Sequence, residues 1–127
     1  MTDSLKKYLL AIYELSNFGG TVKSAEVSKK LGVTKSSTAK MTARLEQQGL
    51  ISKPYYSKIT LTSEGICRAA QLYTNKVVIH AFLSRFMKIP EPDAENDAVT
   101  CICTLSDATV EKLVRLTIRN LDKKRRK

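Results

Sequence analysis

Between Thr21 and Thr62 the chain reads TVKSAEVSKKLGVTKSSTAKMTARLEQQGLISKPYYSKITLT, and this stretch limits the fold more than any other. Ser24 is placed to cap a short helix through Leu31, with Glu26 acidic in its first turn. Gly32 breaks that helix, and Thr34 caps a second one that runs to about Gln48. Val27, Leu31, Val33, Met41 and Leu45 recur so as to form one small core holding the two helices at a fixed angle. Gly49 closes the second helix. Leu50 to Lys53 and Ser57 to Leu61 then bracket a Pro-Tyr-Tyr turn and read as a hairpin, in which Pro54 is tolerable at a sheet edge. Helix, turn, helix and polar hairpin in this order predict a winged helix-turn-helix.

Charge says what such a unit meets. Lys23, Lys29, Lys30, Lys35, Lys40, Arg44, Lys53 and Lys58 oppose only Glu26 and Glu46, leaving the stretch at +6 within a chain of net charge +10. A second basic cluster is the tail, with Arg119 and the run Lys123 to Lys127. A phosphate backbone suits this balance better than a small-molecule pocket, with an anionic membrane surface as the other polyanion.

The rest of the chain reads as helix. Leu5, Tyr8, Leu9, Ile12 and Tyr13 recur at helical spacing behind Asp3, a plausible N-cap, and Gly19-Gly20 ends the segment. Thr62 caps a long helix, about Ser63 to Met87, whose second part VVIHAFLSRFM is apolar nearly all round. Burial on two sides is implied, and a subunit interface is the natural second side. Ile89 to Asp93 is a short connection, Ala94 to about Thr104 a further helix. Ser106 caps a last helix with the stripe Val110, Leu113, Val114 and Ile118. The fold class is therefore mainly α: a winged helix-turn-helix DNA-binding domain over residues 1–70, then an all-helical dimerisation region over 71–127 with a basic tail.

Several function classes fall away. One histidine, no glycine-rich phosphate loop and no nucleophile in a recognisable elbow argue against an enzyme. Val77 to Met87 is too short and too polar to span a bilayer, and MTDSLKKYLLAIYEL lacks a signal peptide's apolar core, so a cytoplasmic location is expected. Cys67, Cys101 and Cys103 are expected to be free thiols. Cys101 and Cys103 point about 200° apart on a helix and cannot chelate one ion together.

In a helix-turn-helix the second helix enters the major groove with its N-terminal residues on base edges. Here these are Lys35, Ser36, Ser37 and Thr38, followed by Lys40 and Arg44. Hydroxyls reach bases or phosphates, Lys and Arg reach phosphate or guanine, and the Thr38 methyl can meet thymine. Ser24 and Thr34 at the helix starts, and Tyr56, Ser57 and Lys58 on the wing, complete the expected DNA-binding set. A winged helix that docks only on protein is the competing reading.

The whole chain resembles the iron- and manganese-dependent repressors of the diphtheria toxin repressor and manganese transport regulator type. Tyr8-Leu9-x-x-Ile12-Tyr13-Glu14-Leu15, Val27, Leu31, Val33, Ser36-Ser37, Lys40-Met41, Leu45 and Gly49-Leu50 carry the match. Leu61-Thr62-x-x-Gly65, Phe82-Leu83 and Leu105-Ser106 continue it. The length corresponds to the short form without an SH3-like domain. The resemblance implies a homodimeric, operator-binding repressor switched by Mn(II) or Fe(II).

The departures lie in that switch. The family's ligand positions on the first helix correspond to Lys7 and Leu10, its long-helix histidine to Lys76, and the ligands of the next helix to Val99, Ile102 and Cys103. His80, Glu95 and Cys103 are the candidate ligands left, so no metal cofactor is expected. Lys7 and Lys76 either place tethered cations where the family places a metal, or have drifted with both side chains in solvent. The expectation is a double-stranded-DNA-binding homodimeric regulator freed from Mn/Fe control. The alternative is a metal- or thiol-responsive repressor with a remodelled site.

Overall fold

The computed structural model describes residues 1–53 and 58–125. The chain divides into two compact units, Met1–Gln71 and Leu72–Lys127. The elements are α1 (Asp3–Leu15), β1 (Thr21–Lys23), α2 (Ser24–Leu31), α3 (Lys35–Gln47), β2 (Ile51–Ser52), β3 (Lys58–Leu61), α4 (Ser63–Ala81), a π-helical turn (Phe82–Phe86), α5 (Asp93–Thr104) and α6 (Asp107–Arg125). Among the described residues no helix is long and apolar enough to cross a membrane.

In the first unit α1 packs on α2, α3 and β3. It buries Leu5 and the unbroken run from Tyr8 to Tyr13, so its middle is enclosed on all sides. The cap is Thr2 rather than Asp3: the Leu5 N–H donates to Thr2 Oγ1 at 3.2 Å, and Asp3 is the first helical residue. The hydroxyl one position earlier reaches the free N–H, and the carboxylate serves the helix dipole instead.

After α1 the chain turns through Asn17 and Phe18, both at positive φ, and enters a strand with no precedent in the sequence reading. Strand β1 has a single buried residue, Val22, too little alternation to register as a period. It pairs antiparallel with β3 in the register Thr21↔Thr60, Val22↔Ile59 and Lys23↔Lys58. Strand β2 pairs with the other edge of β3, so the expected hairpin is a three-stranded sheet ordered β1-β3-β2. The expected turn at Pro54, Tyr55, Tyr56 and Ser57 lies outside the described residues.

Ser24 does not cap α2. Lys23 holds the cap position and its N–H donates to Glu26 Oε1 at 3.2 Å, so the acidic side chain does the capping from inside the helix. Gly32 ends α2 in the left-handed region at φ 65°, where the Val33 N–H closes onto the Ser28 carbonyl at 3.1 Å. Thr34 caps α3 as expected, accepting from the Ser37 N–H at 3.0 Å.

The contact between α2 and α3 departs from an all-apolar seam. Val27 and Leu45 are fully buried, Leu31 and Met41 only partly, and Val33 is exposed. Hydroxyls complete the seam: Ser28 Oγ donates to Thr38 Oγ1 at 2.7 Å, and Thr42 Oγ1 donates to the Thr38 carbonyl at 2.8 Å. Ser28, Thr38 and Thr42 are all buried. Each hydroxyl has a partner, so burying it carries no desolvation penalty left unpaid.

Thr62 and Gly65 join the strand region to α4. Thr62 Oγ1 donates to the Gly49 carbonyl at 2.6 Å and accepts from the Gly65 N–H at 3.0 Å. A Cβ at Gly65 would stand 1.9 Å from the Leu50 carbonyl oxygen, so the first turn of α4 lies directly on backbone.

In the second unit the apolar run is not one continuous α-helix. It leaves α geometry at Ala81 and passes through the π-helical turn, with Met87 N–H donating to the Phe82 carbonyl. Helix α5 buries Ala94, Ala98, Ile102 and Cys103. On α6, Val110 and Thr117 are buried while Ile118, expected in the apolar stripe, is exposed together with Leu116. The Thr117 hydroxyl takes that inner place by donating to the Leu113 carbonyl at 2.8 Å.

Candidate nucleic-acid interface

Helix α3 has two chemically opposite faces. Thr38, Thr42 and Leu45 point inward at the helical i, i+4, i+7 spacing. Lys35, Ser36, Ser37, Lys40 and Arg44 are exposed. Thr38 is therefore corrected: with no exposed surface and its hydroxyl held by Ser28, it positions the helix and cannot touch a base.

Ala39 and Ala43 share the outer face with these residues, and the sequence reading passed over them. Their methyl groups let a partner approach the backbone of α3 closely between Lys35, Lys40 and Arg44. At the helix start Thr34 Oγ1 donates to Ser37 Oγ at 2.9 Å and lies 3.3 Å from Ser36 Oγ. This chain of hydroxyls holds the Ser side chains in place while leaving further hydrogen-bonding capacity. Ser24 is half-buried at the start of α2, and its carbonyl lies 3.2 Å from Ser28 Oγ.

The basic residues differ in their commitments. Lys30 pairs with Glu14 of α1 at 3.3 Å, and Lys53 Nζ lies 3.3 Å from Thr42 Oγ1, so both serve the fold. Lys23 and Lys58 stand opposite one another on neighbouring strands, and both are exposed. Like charges directly opposite on a sheet repel. An anion meeting both would relieve that repulsion. Tyr56 and Ser57 lie outside the described residues.

The positions expected to correspond to the family's metal ligands do not fit a hard divalent cation. Leu10, Ile102 and Cys103 are buried, Val99 is half-buried, and Lys7 is exposed on α1. Lys76 has only 7% of its surface exposed, and its Nζ lies 2.9 Å from Glu95 Oε1 and 5.7 Å from the centre of the Tyr73 ring. Drift of both lysines into solvent thus fails for Lys76, which is buried and paired. The remaining candidates are engaged elsewhere: His80 Nε2 meets Glu91 Oε1, Glu95 holds Lys76, and Cys103 is packed inside α5. Among the described residues no group of three or more His, Cys, Asp and Glu side chains is arranged to hold a metal ion. Burial, and secondarily the Asp97 carboxylate, pushes the Cys101 thiol up, away from the thiolate that a soft metal needs.

Residues 1–58 match the family model described as the iron dependent repressor, N-terminal DNA binding domain. An uncharacterized HTH-type transcriptional regulator of Methanocaldococcus jannaschii is 30% identical over 114 residues, covering 89% of this chain and 91% of that protein. Among solved structures, IdeR of T. acidophilum superposes with a TM-score of 0.78 at 22% identity, over 92% of this chain and 53% of its own. The manganese regulator SloR gives 0.75 at 27% identity, over 91% and 54%. The chain thus spans about half the length of these two structures. With residues 1–58 matching the family's DNA-binding domain and 89% of its length matching an HTH-type regulator, the chain belongs to the iron- and manganese-dependent repressor family of helix-turn-helix transcriptional regulators.

Proposed function

We propose that this protein is a cytoplasmic, homodimeric repressor that binds a specific DNA operator without requiring Mn(II) or Fe(II). The observation that carries the DNA reading is the division of α3 into a hydroxyl-locked inner face and an outer face of Lys35, Ser36, Ser37, Lys40 and Arg44. Basic and hydroxyl side chains beside two alanines suit a helix lying in a major groove, with Lys23 and Lys58 of the sheet on flanking phosphates. Val77, Met87, Leu116 and Ile118 are large apolar side chains left exposed, all beyond residue 71, which supports pairing through the helical unit.

Independence from metal rests on Lys76. Its ammonium already supplies a positive charge, neutralised by Glu95, at a position where the family resemblance implies a ligand. A divalent ion arriving there would meet a cation instead of an imidazole.

Selection of bound sequences from a random duplex pool, followed by affinity measurement with Mn(II), with Fe(II) and with chelator, tests both halves. Equal affinity in the three conditions is expected, with a steep loss as salt rises. Lys40→Gln should reduce the slope of log affinity against log salt by about 1. A gain of tenfold or more with either metal would overturn the metal-independent reading, and a flat salt dependence would overturn the DNA reading.

A further inference from the structure

Beside the outer face of α3 lies a groove of about 350 Å³, bounded by α1, the end of α2 and the turn before α3. Half of its lining is apolar or aromatic: Tyr8, Leu31, Val33 and Met41. Its polar lining residues are Ser4 and Lys7 from α1, and Ser37 and Lys40 from α3. None of the lining residues is acidic. Val33, expected in the helix-turn-helix core, instead lines this groove at 36% exposure.

We propose that this groove binds a small organic anion, a carboxylate or phosphate head joined to a flat or branched apolar body, which competes with DNA. The volume falls at the lower end of the range of small-ligand sites, about 300–1,000 Å³. Apolar lining rewards a body that leaves water, and two lysines without a lining carboxylate reward a negative head. Ser37 Oγ accepts from Thr34, so its own proton remains to be donated to that head. A bare phosphate of a duplex brings charge but nothing for Leu31, Val33 and Met41 to cover. The occupant therefore differs from the backbone that Lys40 would otherwise meet.

Binding in the groove stands on the geometry alone. Competition rests on the DNA reading above, because Ser37 and Lys40 would serve both partners. Ligand and duplex then exclude one another, and each weakens the other's apparent affinity as its own concentration rises.

Methyl-detected NMR of the full chain, titrated with benzoate and with phenylphosphonate, tests the site without DNA. Saturable shifts are expected at Leu31, Val33 and Met41, with acetate and benzyl alcohol at least tenfold weaker because each lacks one half of the chemistry. Lys7→Gln should weaken benzoate by about tenfold, the loss of one charge-assisted contact, and Lys7→Arg should restore it. In a duplex competition, benzoate should lower affinity for the wild type and much less for Lys7→Gln. No saturable shift, or shifts equal with acetate, would overturn the site. Shifts that follow protein concentration instead of benzoate would overturn it too, in favour of a second copy's side chain. Benzoate binding without any duplex binding would support the groove and sink the DNA reading. Duplex binding without benzoate binding would do the reverse.

Discussion

Both units of this protein bury paired hydroxyls, but among the described residues only the second also buries a charge. The first seals its helix-turn-helix with neutral hydroxyls, Ser28 to Thr38 and Thr42 back to the Thr38 carbonyl. The second buries a charge, the Lys76 ammonium against Glu95. Neutral hydroxyls are inexpensive once paired, and the Ser28–Thr38 bond ties the two helices together. A buried ammonium is expensive to desolvate and does little for stability beyond what an apolar side chain would do. The first arrangement builds a rigid reader. The second holds a positive charge where an apolar side chain of similar volume would be at least as stable.

Mutations can break this comparison at graded depth. The largest effect is expected at Gly65, where any Cβ collides with the Leu50 carbonyl. Gly65→Ala should lower stability by about 3 kcal/mol or more, because backbone has to move, and thermal unfolding reads it directly. Survival of the wild-type melting temperature would mean that α4 does not lie on Leu50.

Next comes the hydroxyl seam. Thr38→Val keeps the shape and removes one buried hydrogen bond, so a loss of about 1–2 kcal/mol is expected in denaturant unfolding. Duplex specificity should stay the same. A changed preference at one thymine would show that Thr38 reaches a base after all.

The ion pair should respond asymmetrically. Glu95→Gln leaves the ammonium buried with a weaker partner and should destabilise by about 1 kcal/mol, a value reduced by the partial exposure of Glu95. Lys76→Met should be neutral or slightly stabilising, since an unbranched apolar chain fills the same space. If the two variants lose equal stability, the charge is an ordinary structural contact and the contrast between the units disappears.

The smallest expected effect concerns Cys101. Its folded-state thiol titrates above the usual thiol range, through burial first and Asp97 second. A raised value means that the folded state holds the proton more tightly. The contribution is therefore complete below the unfolded thiol's titration and is lost as pH rises through the folded one. Cys101→Ala should flatten the decline of stability at alkaline pH, and the exposed Cys67 should alkylate well before Cys101.

Local chemistry made much of the reader legible. Thr34 caps α3 and Gly32 ends α2 because a hydroxyl or a missing Cβ acts within three or four residues. The facing of Thr38 was also present in the pattern, since 38, 42 and 45 share one side of a helix. Counting threonine as a surface residue concealed it. Strand β1 had no local signal: three residues with one valine become a strand only because β3 supplies the other half of each hydrogen bond. Lys76 and Glu95 are separated by a helix end, a π-helical turn and a connection, so no spacing rule joins them.

The sequence alone determined a basic helix-turn-helix of a recognisable family, with lysine at Lys7 and Lys76, apolar residues at Leu10, Val99 and Ile102, and a thiol at Cys103. Those features depend on residue type and on contacts within a helical turn. Only the tertiary structure decided which hydroxyls face inward, that one lysine is buried against a carboxylate, and that Val33 lines a groove beside α3. Facing and pairing follow from which surfaces the fold removes from water, and distant segments decide that together.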